Sequence, residues 1–202
     1  MKSSNTFITG YDKNTEWLLD WFLQNHSKYS DTQIITYNFD EFKAPTQGMK
    51  NWFKKPFAML DAAMNYKKVC WIDLDCEILA PIDDIFKYTE PNRLGMVEDV
   101  PWTKRRGRKW HNSGVVVFQG KPKILEDWAF TVSMNTTEIG DQEVLHSMLK
   151  DDLQRMIHIN DLPRDYNTLR IDLMDGTAPK NIKIMHWTGA KGKEVIRGKM
   201  NG

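Results

Sequence analysis

"KVCWIDLDCEIL" (residues 68–79) carries the reading of the fold. Val69, Cys70, Trp71 and Ile72 form a run apolar enough for a buried strand, and the run leads straight into Asp73, Asp75 and Glu77, three acidic side chains at alternate positions. Like charges at that spacing raise each other's cost of ionisation, so a strand that ends in them ends where a counter-charge is available. Taken as one continuous strand, the stretch sets Asp73 and Asp75 about 6.6 Å apart at ~3.3 Å per residue. That is too far for both to grip one ion unless the backbone curls or one carboxylate acts through water.

Outward from this strand, strands alternate with helices. "TFITG" (residues 6–10) reads as a short buried strand closed by a glycine turn. "NTEWLLDWFLQNHSKY" follows with Trp17, Leu18, Trp21 and Phe22 at helical spacing and Asn14 or Thr15 as its cap. "QIITYNF" is a second strand, and "KPFAMLDAAMNY" is a helix with Pro56 in its first turn and Phe57, Leu60 and Met64 on one face. "RLGMVED" and "HNSGVVVFQG" are further strands, joined by the basic loop "VPWTKRRGRKW". Helices are expected at "KPKILEDWAFTV" and "GDQEVLHSMLKDDL", and late strands at "QRMIHIN" and "NIKIMHW", with irregular chain between these two. The alternation predicts an α/β fold with a mainly parallel sheet flanked by helices, in one domain over residues 1–202, whose ligand lies at the carboxyl ends of the strands.

Bulk composition narrows the function by exclusion. The 202 residues carry 28 Lys plus Arg against 27 Asp plus Glu, so overall charge predicts neither a nucleic acid nor a membrane surface as partner. Cys70 and Cys76 make no disulfide framework and read as reduced, packed thiols. No segment reaches the roughly 20 apolar residues of a membrane span, and "MKSSNTFITG" lacks the apolar core of a secretory signal. The expectation is a soluble, cytoplasmic protein.

A D-x-D at a strand end suits magnesium or manganese, which take one or two protein carboxylates and complete their shell with water and substrate phosphates. Three letters alone occur by chance, and charged residues often mark where a strand leaves the core. The other stretches give the triplet its context. Read in order, "FITGYD", "KKPFAMLDAAMNYKKVCWIDLDCEIL", "HNSGVVVF", "GDQEVL", "LPRDYN" and "IMHWTGAKGK" resemble the family-8 and related GT-A (Rossmann-like) glycosyltransferases over nearly the whole chain. Short versions resemble enzymes from bacteria and from large algal viruses, which would place a viral enzyme in the host cytoplasm.

The resemblance implies a donor, a uridine-linked nucleoside diphosphate sugar, and a metal, Mn2+ or Mg2+. It implies that Thr9, Gly10 and Tyr11 touch the base and ribose, that Asp73 serves the ribose and the metal, and that Asp75 and His186 ligate the metal. Gly189 would let the backbone close on the diphosphate, with Lys191 or Lys193 as the phosphate lysine. Lys55 would stand near the nucleotide, Asn112 and Ser113 would read the sugar hydroxyls, and Asp141 with Gln142 would lie under the transferred sugar. Each has a plainer reading: His186 can end a buried strand, Asn112 and Ser113 can start one, and Asp141 can cap a helix. The basic residues Lys104, Arg105, Arg106, Arg108 and Lys109 read as a solvated loop or as a flap over the anionic donor.

The function expected is transfer of a hexosyl group to an acceptor hydroxyl on a glycan or glycoconjugate. The resemblance leans toward retention of configuration, while Asp141 acting as base on the acceptor would give the opposite outcome. Two rivals remain: a nucleotidyltransferase, which wants a further carboxylate and a glycine-rich triphosphate loop not found here, and a catalytically silent sugar-nucleotide binder.

Overall fold

The computed structural model describes residues 3–46, 48–134 and 139–202. β1 (Ser3–Tyr11) pairs in parallel with β2 (Ile34–Asn38) on one side and β3 (Tyr66–Ile72) on the other. α1 (Leu19–Tyr29) connects the first two strands and α2 (Lys55–Asn65) leads into the third. β5 (Leu94–Glu98), β6 (His111–Gln119) and β7 (Ile159–Asp161) complete a six-stranded sheet in the order β2-β1-β3-β6-β5-β7. Only β6 runs against the rest, pairing antiparallel with both β3 and β5. That reversal brings its first residues to the rim where β1 and β3 end.

Side-chain alternation along β3 feeds two cores. Val69 and Trp71 pack with Ile8, Val116 and Phe118 under α2, α4 (Lys123–Ser133) and α5 (Asp141–Met148), where Trp128 and Leu145 are fully enclosed. Cys70 and Ile72 face the other way, with Phe7, Val115, Val117 and Phe22 of α1. Both cysteines are buried free thiols, as expected. Burying a side chain of this kind contributes roughly 1.5–3 kcal/mol.

The stretch 68–79 is two strands. β3 stops at Ile72, the Cys76 amide donates to the Asp73 carbonyl at 3.0 Å to close a turn, and β4 (Cys76–Ile78) leaves for a second sheet. There β4 pairs with β9 (Ile184–His186), which also pairs with β8 (Thr168–Leu169). The backbone therefore curls at the carboxylates, the condition under which both can face one ion.

The basic segment expected as a loop is helix α3 (Val100–Arg106). Asp99 accepts from the Trp102 amide at 3.0 Å, Pro101 fits the first turn, and Gly107 closes the end at φ 65°. "QRMIHIN" is mostly α6 (Asp152–His158), started by Asp151 accepting from the Gln154 amide at 2.8 Å, and only its end joins β7. The irregular region before β9 holds β8 and α7 (Arg170–Met174), and the chain ends in α8 (Gly189–Met200), which the sequence reading did not foresee. Among the described residues no helix is long and apolar enough to cross a membrane.

Candidate active site

A cleft opens at the carboxyl ends of β1 and β3, against the start of β6 and the first turns of α5 and α8. Its lining includes Gly10, Tyr11, Lys55, Asp73, Asp75, Asp141 and Lys193, residues singled out from the sequence. Asp12, Phe39, Asn51, Trp52 and Trp71 also line it and were not singled out. They come from four separate segments, and only the fold assembles them.

The turn at 73–76 aims both carboxylates at His186. Asp75 Oδ1 lies 3.2 Å and Asp73 Oδ2 3.9 Å from His186 Nε2. On the far side of the ring, Nδ1 is 3.1 Å from Asn167 Oδ1. Asn167 donates through Nδ2 to Asn112 Oδ1 at 2.9 Å, which fixes its own Oδ1 as an acceptor. His186 Nδ1 therefore carries the proton, and Nε2 points its lone pair or a second proton at the carboxylates. Burial works against a charged ring, but Asp75 outweighs it and raises the His186 pKa. Burial likewise opposes ionisation of Asp75, yet His186 and Lys193 hold its carboxyl well below the usual range.

Asp75 and an imidazole of fixed tautomer, 3.2 Å apart, fit adjacent positions on a hard octahedral cation, whose neighbouring ligands stand about 3 Å apart, while Asp73 stands further off, 3.9 Å from His186 and outside the group of ligand atoms within 4.8 Å of one another. Cys76 also lies close to Asp75 and His186, within 4.8 Å among ligand atoms. Its thiol is pushed up by burial and by the charges of Asp75 and Asp73, so it stays protonated and is a poor ligand for such an ion.

Lys55 lines the cleft as a buried side chain. Its buried ammonium sits 3.1 Å from Asp73 Oδ1 and 3.3 Å from Asp141 Oδ2, and donates to the Ser113 carbonyl and hydroxyl at 3.0 and 3.1 Å. Burial lowers its pKa, but Asp141 and Asp73 more than reverse this. Asp73 also accepts from Trp71 Nε1 at 2.6 Å. Lys55 thus neutralises two carboxylates that would otherwise repel across the floor of the cleft.

Asp141 is the first residue of α5, and Gly140 takes the cap position, so the plain capping role does not apply. The Ser113 hydroxyl is 3.3 Å from its Oδ2. Burial raises its pKa, against the pull of Lys55. Gln142 is turned away from the cleft lining: its Oε1 accepts from the Ser113 amide at 2.8 Å.

The remaining residues named from the sequence are placed as follows. Thr9 is fully buried and does not line the cleft, because alternation along β1 puts it on the face of Phe7, opposite Gly10. The Asn112 amide is occupied by the Gly114 amide and Asn167, and is absent from the lining. Lys191 is exposed, whereas Lys193 enters the cleft and donates to Asp75 Oδ2 at 3.2 Å. Helical spacing decides between the two: one turn of α8 carries residue 193 back over the turn at 73–76. Gly189, at φ 75°, begins α8 outside the lining.

No protein-family model and no curated protein matches the chain. Solved structures do match its fold. One is a glycosyltransferase involved in the glycosylation of the major capsid of PBCV-1, at 15% identity and a TM-score of 0.67, covering 98% of this chain and 100% of that one. Another is the galactosyltransferase LgtC in complex with donor and acceptor sugar analogs, at 12% identity and TM-score 0.57, covering 91% and 87%. A third is the glycosyltransferase GlyE of Streptococcus pneumoniae TIGR4, at 17% identity and TM-score 0.62, covering 94% of this chain and 55% of that one. The mixed α/β sheet flanked by helices is the GT-A fold.

Proposed function

We propose that the chain transfers a sugar from a nucleoside diphosphate, uridine-linked, to a hydroxyl of a glycan or glycoconjugate. The observation that carries this reading is the meeting of Asp73, Asp75, His186 and Lys193 at one rim of an aromatic-walled cleft. The likeness to glycosyltransferases, one of them crystallised with donor and acceptor sugar analogs, supports it.

In this reading Tyr11, Phe39 and Trp52 give the base a flat apolar surface, and Asp12 and Asn51 offer polar partners to the ribose. Asp73, Asp75 and His186 would hold Mn2+ or Mg2+, which when bound supplies positive charge opposite the diphosphate. Lys193, a third exposed, turns its ammonium from Asp75 to the diphosphate oxygens as negative charge builds on the leaving group. Asp141 lies where positive charge develops on the sugar. A carboxylate engaged by Lys55 and Ser113 is a better electrostatic stabiliser than a base, which favours retention.

The test is a panel of nucleoside diphosphate sugars with and without manganese, read by thermal shift and by donor hydrolysis, in wild type and Asp75→Ala. Binding and hydrolysis that need the metal and vanish in Asp75→Ala are expected. Binding with no turnover under any metal would make the chain a silent binder, and pyrophosphate release from triphosphates a nucleotidyltransferase. No response to any compound ends the proposal.

A further inference from the structure

Trp71, near the end of β3, stands two residues before Asp73, so alternation along the extended chain turns both side chains the same way. Its ring is 2% exposed and belongs to the core under α2, yet it also lines the cleft. The plane of the ring is held: Phe39 lies parallel to it within 3°, at 6.1 Å between centroids, and the Lys55 ammonium stands 5.4 Å from its centroid. From there Nε1 donates to Asp73 Oδ1 at 2.6 Å. A buried indole takes an acceptor where it finds one, and that alone would make the contact a matter of packing.

The two oxygens of Asp73, however, are treated differently. Oδ1 receives the indole N–H and, 3.1 Å away, the Lys55 ammonium. Oδ2 takes no hydrogen bond from any described residue and faces His186 Nε2 at 3.9 Å. The two donors come from different elements, the indole from β3 and the ammonium from α2.

This asymmetry bears on the metal. Rotation of an aspartate carboxylate about its last bond is soft and roughly two-fold, and a side chain 27% exposed has room for it. With two donors on the inner oxygen, rotations that swing both oxygens outward lose two charge-assisted bonds. One oxygen therefore stays inward and the other is offered singly. Magnesium and manganese demand near-ideal octahedral geometry, so a ligand oxygen held at one rotation is worth more to them than a free carboxylate.

We propose that Trp71 is a positioning residue for the metal centre: its indole N–H, together with Lys55, pins the inner oxygen of Asp73 and presents the outer one to a cation beside Asp75 and His186. The inference rests on the proposed function and deepens it. A side chain of the core thereby sets the affinity for the ion without touching it.

The experiment titrates the full chain with manganese, alone and with uridine diphosphate, by calorimetry, in wild type, Trp71→Phe and Val69→Ala. Trp71→Phe keeps an aromatic ring and removes the donor; a loss of manganese affinity of roughly 10–100-fold is expected, the range for a residue that orients a ligand. Val69 lies in the same core, two residues earlier, and does not line the cleft. Val69→Ala should lower the denaturant midpoint and leave manganese affinity unchanged. A folded Trp71→Phe that binds manganese as wild type does, or a loss matched by Val69→Ala, overturns this inference alone. A wild type that binds no manganese under either condition overturns the proposed function and the inference with it. One measurement needs no variant: the Trp71 Nε1–H resonance, assigned through the Phe39 ring, should move on saturation with magnesium, because Asp73 gives up charge to the ion. A resonance that magnesium leaves in place overturns the inference as well.

Discussion

Gly114 of β6 lies directly against His186: a Cβ at position 114 would fall 2.2 Å from His186 Cε1 and 2.4 Å from its Nδ1. The neighbour is a ring pinned on both sides, so it cannot swing away. Gly114→Ala is expected to cost about 1–3 kcal/mol through overpacking. It should also weaken manganese about 10–100-fold by turning the imidazole. Urea unfolding and a manganese titration measure the two effects separately.

Asn167 orients His186 without lining the cleft. Asn167→Leu leaves His186 Nδ1 and Asn112 Oδ1 short of a partner and is expected to cost about 1–3 kcal/mol. A metal affinity equal to wild type in a folded variant would show that the tautomer is held some other way.

Lys193 and Lys191 sit two residues apart with opposite exposure to the cleft. Lys193→Ala should lower the rate of donor cleavage by roughly 10²–10³, in line with loss of one charge-stabilising donor. Lys191→Ala should stay within about twofold of wild type. Equal losses in the two variants would remove Lys193 from its assigned role.

His146 gives the fold a pH dependence of known sign. The ring is fully buried, stacked 3.7 Å from Trp110, and accepts from Arg155. Burial drives its pKa down to about 3, with Arg155, His111 and Arg108 repelling a positive charge in the same direction. The unfolded chain takes a proton as pH falls below 6.5, and the native state refuses it. This contribution is complete above that pH and is lost below it, by up to about 1.4 kcal/mol per pH unit, toward pH 3. His26, also lowered by burial, adds to the same slope. Denaturant midpoints at pH 7 and pH 5 should differ more in wild type than in His146→Gln.

Lys55→Met removes the ammonium between Asp73 and Asp141 while keeping most of its packing. Two carboxylates are then left close together and partly buried, and a loss of about 3–5 kcal/mol is expected. Added manganese should recover part of it, measurable as a larger metal-induced rise in melting temperature than wild type shows.

What the sequence disclosed was whatever sits next to its own signal. Asp73, Asp75 and His186 stand at strand ends that hydrophobic runs announce, and Asp141 follows a glycine at a helix start. Phe39, in a turn, and Asn51 and Trp52, in a short 3-10 helix, carry no such signal and reach the cleft only through packing of distant segments, whereas Asn167 ends the "LPRDYN" stretch, for which no side-chain role was read. The burial of Thr9 follows from the two-residue alternation of a strand, which a short motif such as Thr9-Gly10-Tyr11 does not display. The basic helix α3 was mistaken for a loop because charge drew attention from its cap, proline and closing glycine.

The reversed strand β6 makes one alignment answer for two things. Its rungs to β3 set Ile72 opposite Val115, and one step further the Asp73 amide donates to the Gly114 carbonyl at 2.8 Å. Slide β6 by a single residue and Val115 would turn from one core to the other, while a neighbour replaced Ser113 beside Lys55. Mutations that loosen the sheet here cannot be silent for chemistry, and drift at the rim cannot be silent for folding. Variation in substrate preference should therefore accumulate in the segment around Asn51 and Trp52, a short 3-10 helix that belongs to neither sheet.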